Sequence, residues 1–139
     1  VAFALACRTL APPVPGAFLD ILLVEDDDLV RDCLFEALRE VGLLIEGSGS
    51  AEAALERLSA GERPGVVVTD INLGAGMNGL DFARAARLML PGLRVVFISG
   101  RYAELNLMNP HERFLAKPFT TTALLRAIAD VSAETSQAH

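Results

Sequence analysis

The sequence predicts an α/β domain, a parallel sheet carrying helices on both faces. Three observations predict it. Short apolar runs rich in β-branched residues alternate with stretches of helical periodicity, and short loops join them. The run Val66-Val67-Val68 is continuously apolar, as expected of a strand buried on both faces. It ends in one acid, Asp70, shortly before a glycine-rich loop, Gly74-Ala75-Gly76-Met77-Asn78-Gly79. Reaction sites in open α/β sheets lie outside the carboxyl ends of the strands, so Asp70 is the first residue to explain.

The elements follow in order. Ile21–Val24 is the first strand, and it runs into four acids, Glu25 to Asp28. Asp27 or Asp28 suits the N-cap of the next helix, whose positive end favours carboxylates. That helix carries Val30, Leu34, Ala37, Leu38 and Val41 as its apolar stripe, with Cys33 as a small core or boundary residue, and Gly42 stops it. Leu43–Glu46 is a weaker second strand, followed by a Gly/Ser turn. Ser50 caps a helix that buries Ala51, Ala54, Leu55 and Leu58 and is closed by Gly61 and Pro64. After the Val66–Asp70 strand and its loop, a third helix presents Phe82, Ala85, Ala86 and Met89, ending at Pro91-Gly92. Leu93–Ser99 is the fourth strand. Arg101–Met108 is the weakest helical pattern. Arg113–Lys117 is the fifth strand, which Pro118 ends. Thr120 or Thr121 caps the last helix, with Leu124, Ala127, Ile128 and Val131 buried, and Ser132–His139 reads as a frayed end.

Composition bounds the function. At 139 residues, 52% hydrophobic and 22% charged, the chain reads as one globular domain over 18–132, with tails at 1–17 and 133–139. A net charge of −6 and scattered Lys and Arg argue against direct nucleic-acid binding. Two cysteines make neither a disulfide framework nor a metal cluster. No run reaches a membrane span, and Pro12-Pro13-Val14-Pro15-Gly16 reads as a stiff linker before a cytoplasmic domain.

Right-handed crossovers favour a flavodoxin-like strand order, 2-1-3-4-5. All carboxyl ends then meet at one edge, bringing together Glu25 and Asp26, Asp70, Ser99 and Lys117. Three carboxylates at about 5 Å repel by roughly 3 kcal/mol per pair at an effective dielectric near 20. A hard divalent cation offsets this most simply, since Mg²⁺ takes one or two carboxylates and keeps waters. Lys117 adds a fixed positive charge. A carboxylate beside such groups suits phosphoryl transfer, with Asp70 as nucleophile and Ser99 as a donor to a phosphoryl oxygen. Taken singly, each residue has an ordinary role: Asp27 and Asp28 as caps, Ser99 as a turn hydroxyl, Lys117 as a solvated strand end. Their joint placement on one edge favours the site.

From about Leu19 to Val131 the chain resembles a receiver domain of two-component response regulators, of the single-domain type. Leu23-Val24-Glu25-Asp26-Asp27 resembles the family's acidic-pair motif, and Val67–Leu73 with Gly79-Leu80 its phosphoacceptor strand and loop. Val96-Phe97-Ile98-Ser99-Gly100 and Phe114-Leu115-Ala116-Lys117-Pro118-Phe119 resemble its switch-hydroxyl and lysine motifs. The resemblance implies that Asp70 accepts a phosphoryl group from a sensor histidine kinase or a histidine phosphotransfer protein. It implies Mg²⁺ bound by Asp26, Asp70 and the backbone carbonyl of Asn72, with Glu25 acting through a metal-bound water. Ser99 and Phe114 would be the switch pair, Lys117 would pair with the phosphate, and the Lys117-Pro118 bond would be cis. The result would be a self-phosphorylating, self-dephosphorylating switch rather than a turnover enzyme.

The chain departs from the family's common pattern in a longer, proline-free loop after Asp70, in Ser99 for threonine, in Phe114 for tyrosine, and at Arg101–Pro110. With about twenty residues before the domain and about eight after it, no output domain is expected. A stand-alone regulator, a phosphorelay shuttle or a receiver from a hybrid kinase all fit, as does a homodimer through the last two helices. One alternative is a receiver-like interaction module that never takes phosphate, but it would lack an acid or the lysine. A second is an aspartyl-phosphate phosphatase, which wants an acid where Asn72 stands. A flavin carrier lacks both a Ser/Thr-rich phosphate loop and a Trp to stack on the ring.

Overall fold

The computed structural model describes residues 19–100 and 110–136. Five strands form one all-parallel sheet in the order β2-β1-β3-β4-β5, the order expected. They are β1 (Leu19–Val24), β2 (Ile45–Ser48), β3 (Pro64–Asp70), β4 (Val95–Ser99) and β5 (Glu112–Ala116). The described helices are α1 (Asp28–Glu40), α2 (Ala51–Ser59), α3 (Gly79–Met89) and α4 (Thr121–Ser136). The helix expected over Arg101–Met108 lies outside the described residues.

Alternation along the strands splits the core in two. Ile21, Leu23, Val66, Val68, Val96 and Ile98 pack with Leu38 of α1 and Leu124, Ile128 and Val131 of α4. Leu22, Val24, Val67, Val95 and Phe97 face the other way, against Ala54 and Leu58 of α2 and Phe82, Ala83 and Ala86 of α3. Such burial on both faces explains why the central strands carry no polar alternation. Side-chain caps fix where the helices begin. Asp27, rather than Asp28, accepts from the Leu29 and Val30 N–H groups at 3.0 and 3.1 Å. Ser50 accepts from Ala53, Asn78 from Asp81 and Thr120 from Ala123.

Several expected boundaries move, each for a local reason. β2 runs to Ser48 instead of ending at Glu46, because its ladder with β1 pairs Ile21 with Ile45 and continues to Val24 with Ser48. Leu44 precedes it, its N–H donating to the Asp20 carboxylate at 2.7 Å. Pro64 opens β3 rather than closing a helix, a position where no N–H is needed. α3 buries Gly79, Phe82, Ala83 and Ala86, so its stripe runs through Ala83, and Met89 falls outside it at 39% exposed. Cys33 is exposed, one position from the buried seam of α1. The last helix continues past Ser132, whose hydroxyl donates to the Ile128 carbonyl, as far as Ser136.

Candidate functional site

Strand register builds the site. Val24 pairs with Thr69, which sets Glu25 level with Asp70 on the neighbouring strand. Asp70 pairs with Ile98 and Ile98 with Leu115, so Ser99 lies one residue and Lys117 two residues beyond that level. All the strands end at the same edge, and the residues picked out from the sequence gather there.

Asp70 is 6% exposed and both its oxygens are held. Oδ1 accepts from the Asn72 backbone N–H at 2.9 Å, and Oδ2 pairs with Lys117 Nζ at 2.6 Å. The Lys117 N–H donates to the Ser99 carbonyl at 2.9 Å, which ties the end of β5 to the end of β4. Partial burial works against the charge on Lys117. The hydrogen bond and charge of Asp70, with the charges of Glu25 and Asp26, overcome it and raise the ammonium above its ordinary range. The Lys117-Pro118 bond is cis.

Glu25 is 4% exposed. Burial is the main force that pushes its carboxyl up to about 7; the charge of Asp70 and a hydrogen bond with Asp26 add to it. The Asp27 N–H, donating to Oε2 at 3.0 Å, and the charge of Lys117 oppose the rise. Asp26 is exposed at the same turn. Ser99 is buried at the end of β4, and Phe114 is half-buried against the core cluster that holds Phe97.

Among the described residues, no three His, Cys, Asp or Glu side chains close into a cage for a metal by themselves. Mg²⁺ does not need one, since one or two carboxylates plus carbonyls and waters suffice. The donor set here is all oxygen, and besides burial the neighbouring Asp70 and Asp26 help to raise Glu25. The acidic oxygens gathered at this edge fit such an ion in kind.

Two residues that the sequence reading missed support this edge. Arg31 on α1 donates through Nη1 to the Glu25 carbonyl at 2.6 Å and pairs through Nη2 with Asp28 at 2.6 Å, bracing the acidic turn. Its place one helical turn after the acids was the only signal available. Glu52 on α2 accepts from the Met77 N–H at 3.1 Å, reaching the loop after Asp70 from 25 residues away. No local pattern marks it. Beside Lys117, a hollow of about 500 Å³ is lined by Glu25, Val30, Leu34, Ile98, Lys117, Pro118 and Phe119.

A sequence model of the response regulator receiver domain matches residues 21–129. The transcriptional activator protein ExaE of Pseudomonas putida is 36% identical over 122 residues, covering 83% of this chain and 56% of that protein. The response regulator receiver protein CpdR of Brucella abortus is 35% identical over 115 residues, covering 78% of this chain and 92% of that protein. Among solved structures, a response regulator receiver protein from Sinorhizobium medicae superposes with a TM-score of 0.74 at 28% identity, covering 87% of this chain and 98% of that one. The chain spans about half the length of the first curated relatives it matches, at 56%, 56% and 46%. The matched span runs from β1 into α4 and takes in every residue of the sheet-edge site, and the chain belongs to the receiver domains of two-component response regulators.

Proposed function

We propose that this receiver accepts a phosphoryl group on Asp70 from the phosphohistidine of a sensor kinase or a phosphotransfer protein, in a Mg²⁺-dependent reaction. The observation that carries the reading is the buried Asp70 carboxylate fixed between the Asn72 N–H and Lys117 Nζ. In the transfer, the phosphorus–nitrogen bond of the donor breaks as a bond forms from an Asp70 oxygen to phosphorus. The imidazole leaves with the nitrogen's electron pair. Mg²⁺, when bound, supplies positive charge to the oxygens of the transferring group. Asp26, Asp70 and the Asn72 carbonyl would hold it, with Glu25 behind a water.

The protein's own residues do the rest. Rigid placement at the end of β3 presents the nucleophile without reorganisation, which is most of what phosphoryl transfer asks of a protein. Lys117 is within reach of oxygens added at Asp70. Ser99 donates to one of them, and Phe114 follows by shifting against the core, which changes a protein-interaction surface. The hollow beside Lys117, with Leu29 exposed nearby on α1, offers an apolar seat for the phosphate donor. Kinase and receiver would meet in the cytoplasm, which cell fractionation would check.

The test is incubation with Mg²⁺ and acetyl phosphate, alongside Asp70→Asn. Intact mass should rise by one phosphoryl group in the wild type and stay unchanged in the variant. A metal-dependent shift of equal size in both would remove Asp70 as the site.

A further inference from the structure

The loop from Ile71 to Asn78 lies against two carboxylates, one at each end of its glycine-rich stretch. Gly74, at φ +72°, is seated so closely on Asp26 that a β-carbon there would be 2.9 Å from Oδ2. Gly76, at φ +91°, lies against Glu52, with Oε2 3.1 Å from where its β-carbon would be. The same Glu52 oxygen accepts from the Met77 N–H at 3.1 Å. Within the loop, the Asn72 side chain accepts from the Gly74 N–H at 3.4 Å, while Met77 packs against the core cluster of α2 and α3.

We infer that Glu52 is a positioning residue, a latch that holds this loop down on Asp26 and so sets how tightly the acidic edge holds its cation. The chain of contact is short. Glu52 stands in the first turn of α2, which follows β2, and β2 delivers the carbonyl of Ser48 to the Glu25 N–H at 3.0 Å. The latch is therefore built on the strand that braces the acidic turn. Two glycines with positive φ make the intervening loop easy to deform, because neither resists a change of backbone angle as a residue with a β-carbon would. Without the Glu52 acceptor, the stretch from Gly74 to Met77 is left with the long Gly74 to Asn72 hydrogen bond and the packing of Met77. Asp26, an exposed side chain, then loses the wall that limits its rotamers. Residues that orient metal ligands from behind commonly matter about 10- to 100-fold in metal affinity.

The inference rests on the proposed Mg²⁺-dependent phosphorylation of Asp70, and its test separates the two. Wild type, Glu52→Ala and Glu52→Gln are compared by Mg²⁺ titration followed by NMR, by exchange of the Met77 amide, and by thermal unfolding. In Glu52→Ala, Mg²⁺ should bind about tenfold more weakly, the Met77 amide should exchange faster, and the melting temperature should hardly move. Glu52→Gln keeps an acceptor oxygen but not the charge, and should restore both affinity and protection. Unchanged Mg²⁺ affinity in Glu52→Ala would overturn the latch, and so would a Glu52→Gln as defective as the alanine. Wild-type protein that neither binds Mg²⁺ nor takes phosphate would instead overturn the functional reading beneath it.

Discussion

Gly74 rests directly on the carboxylate of Asp26, leaving 2.9 Å between Oδ2 and the point where a β-carbon would stand. Alanine at 74 meets two obstacles: the φ of +72° and that carboxylate oxygen. The backbone term is about 1–2 kcal/mol. The oxygen is the far end of a side chain and will swing away. Gly74→Ala should therefore cost modest stability by urea unfolding and weaken Mg²⁺ binding by titration. A variant that loses stability but binds Mg²⁺ normally would show that Asp26 finds its position without the loop.

Gly79 opens α3 against the strand that carries Asp70. A β-carbon there would run into the Asp70 carbonyl oxygen, with the Ile71 Cα at 2.9 Å. Both obstacles are backbone, so neither can rotate aside. Gly79→Ala should destabilise the fold by about 2 kcal/mol, in the range of overpacked cores. Urea denaturation gives the value directly, and a change below about 0.5 kcal/mol, typical of surface positions, would contradict this packing.

Glu25 should give the metal-free protein a distinctive pH dependence. Its folded-state carboxyl titrates near 7 against an ordinary value of 4.5, chiefly because it is buried. Between those values the folded state keeps a proton that the unfolded chain has lost. Stability from this group therefore falls as pH rises through that window and levels off above it. Glu25→Gln should remove this component, so the wild-type minus variant difference in urea midpoint should shrink from pH 4.5 to 7. A difference that is flat with pH would show that Glu25 ionises normally.

Arg87 and Glu112 form an ion pair at 2.6 Å between α3 and the first residue of β5, with both side chains largely buried. Among the described residues, Arg87 Nε and Nη2 have no hydrogen-bond partner. Removing one member leaves a charge without compensation, which costs about 3–5 kcal/mol at fully buried sites. Glu112→Ala should lie near the lower end of that range, and Arg87→Met with Glu112→Leu should recover most of the loss. Chemical denaturation of the single and double variants completes the cycle.

The sequence made the sheet legible because its signals are local. Val66 to Val68 and Val95 to Ile98 are apolar runs that only a doubly covered strand explains, and Asp27, Ser50 and Thr120 cap helices within a few residues of themselves. The edge constellation followed from topology, since parallel strands bring Glu25, Asp70 and Lys117 together without any long-range information beyond strand order. What stayed hidden depends on partners distant in sequence. β2 reaches Ser48 because of its register with β1. Glu52 reads as an ordinary first-turn acid until the loop after Asp70 folds back to it.

Strand alternation carries a last consequence. Glu25, Asp70 and Lys117 share the parity of the side chains that meet α1 and α4, whereas Ser99 and Phe114 share that of Phe97, which meets α2 and α3. The charged trio and the hydroxyl–ring pair thus belong to opposite sides of a sheet one backbone thick. If Asp70 takes a phosphoryl group as proposed, the Ser99 hydroxyl would approach it around the open end of β4. A single-residue slip of β4 would put Ser99 beside Asp70 and bring Phe97 across with it, moving the hydroxyl to the side of the charged trio. The backbone bond from the Ile71 N–H to the Ile98 carbonyl at 2.9 Å pins that register and keeps the two sides distinct.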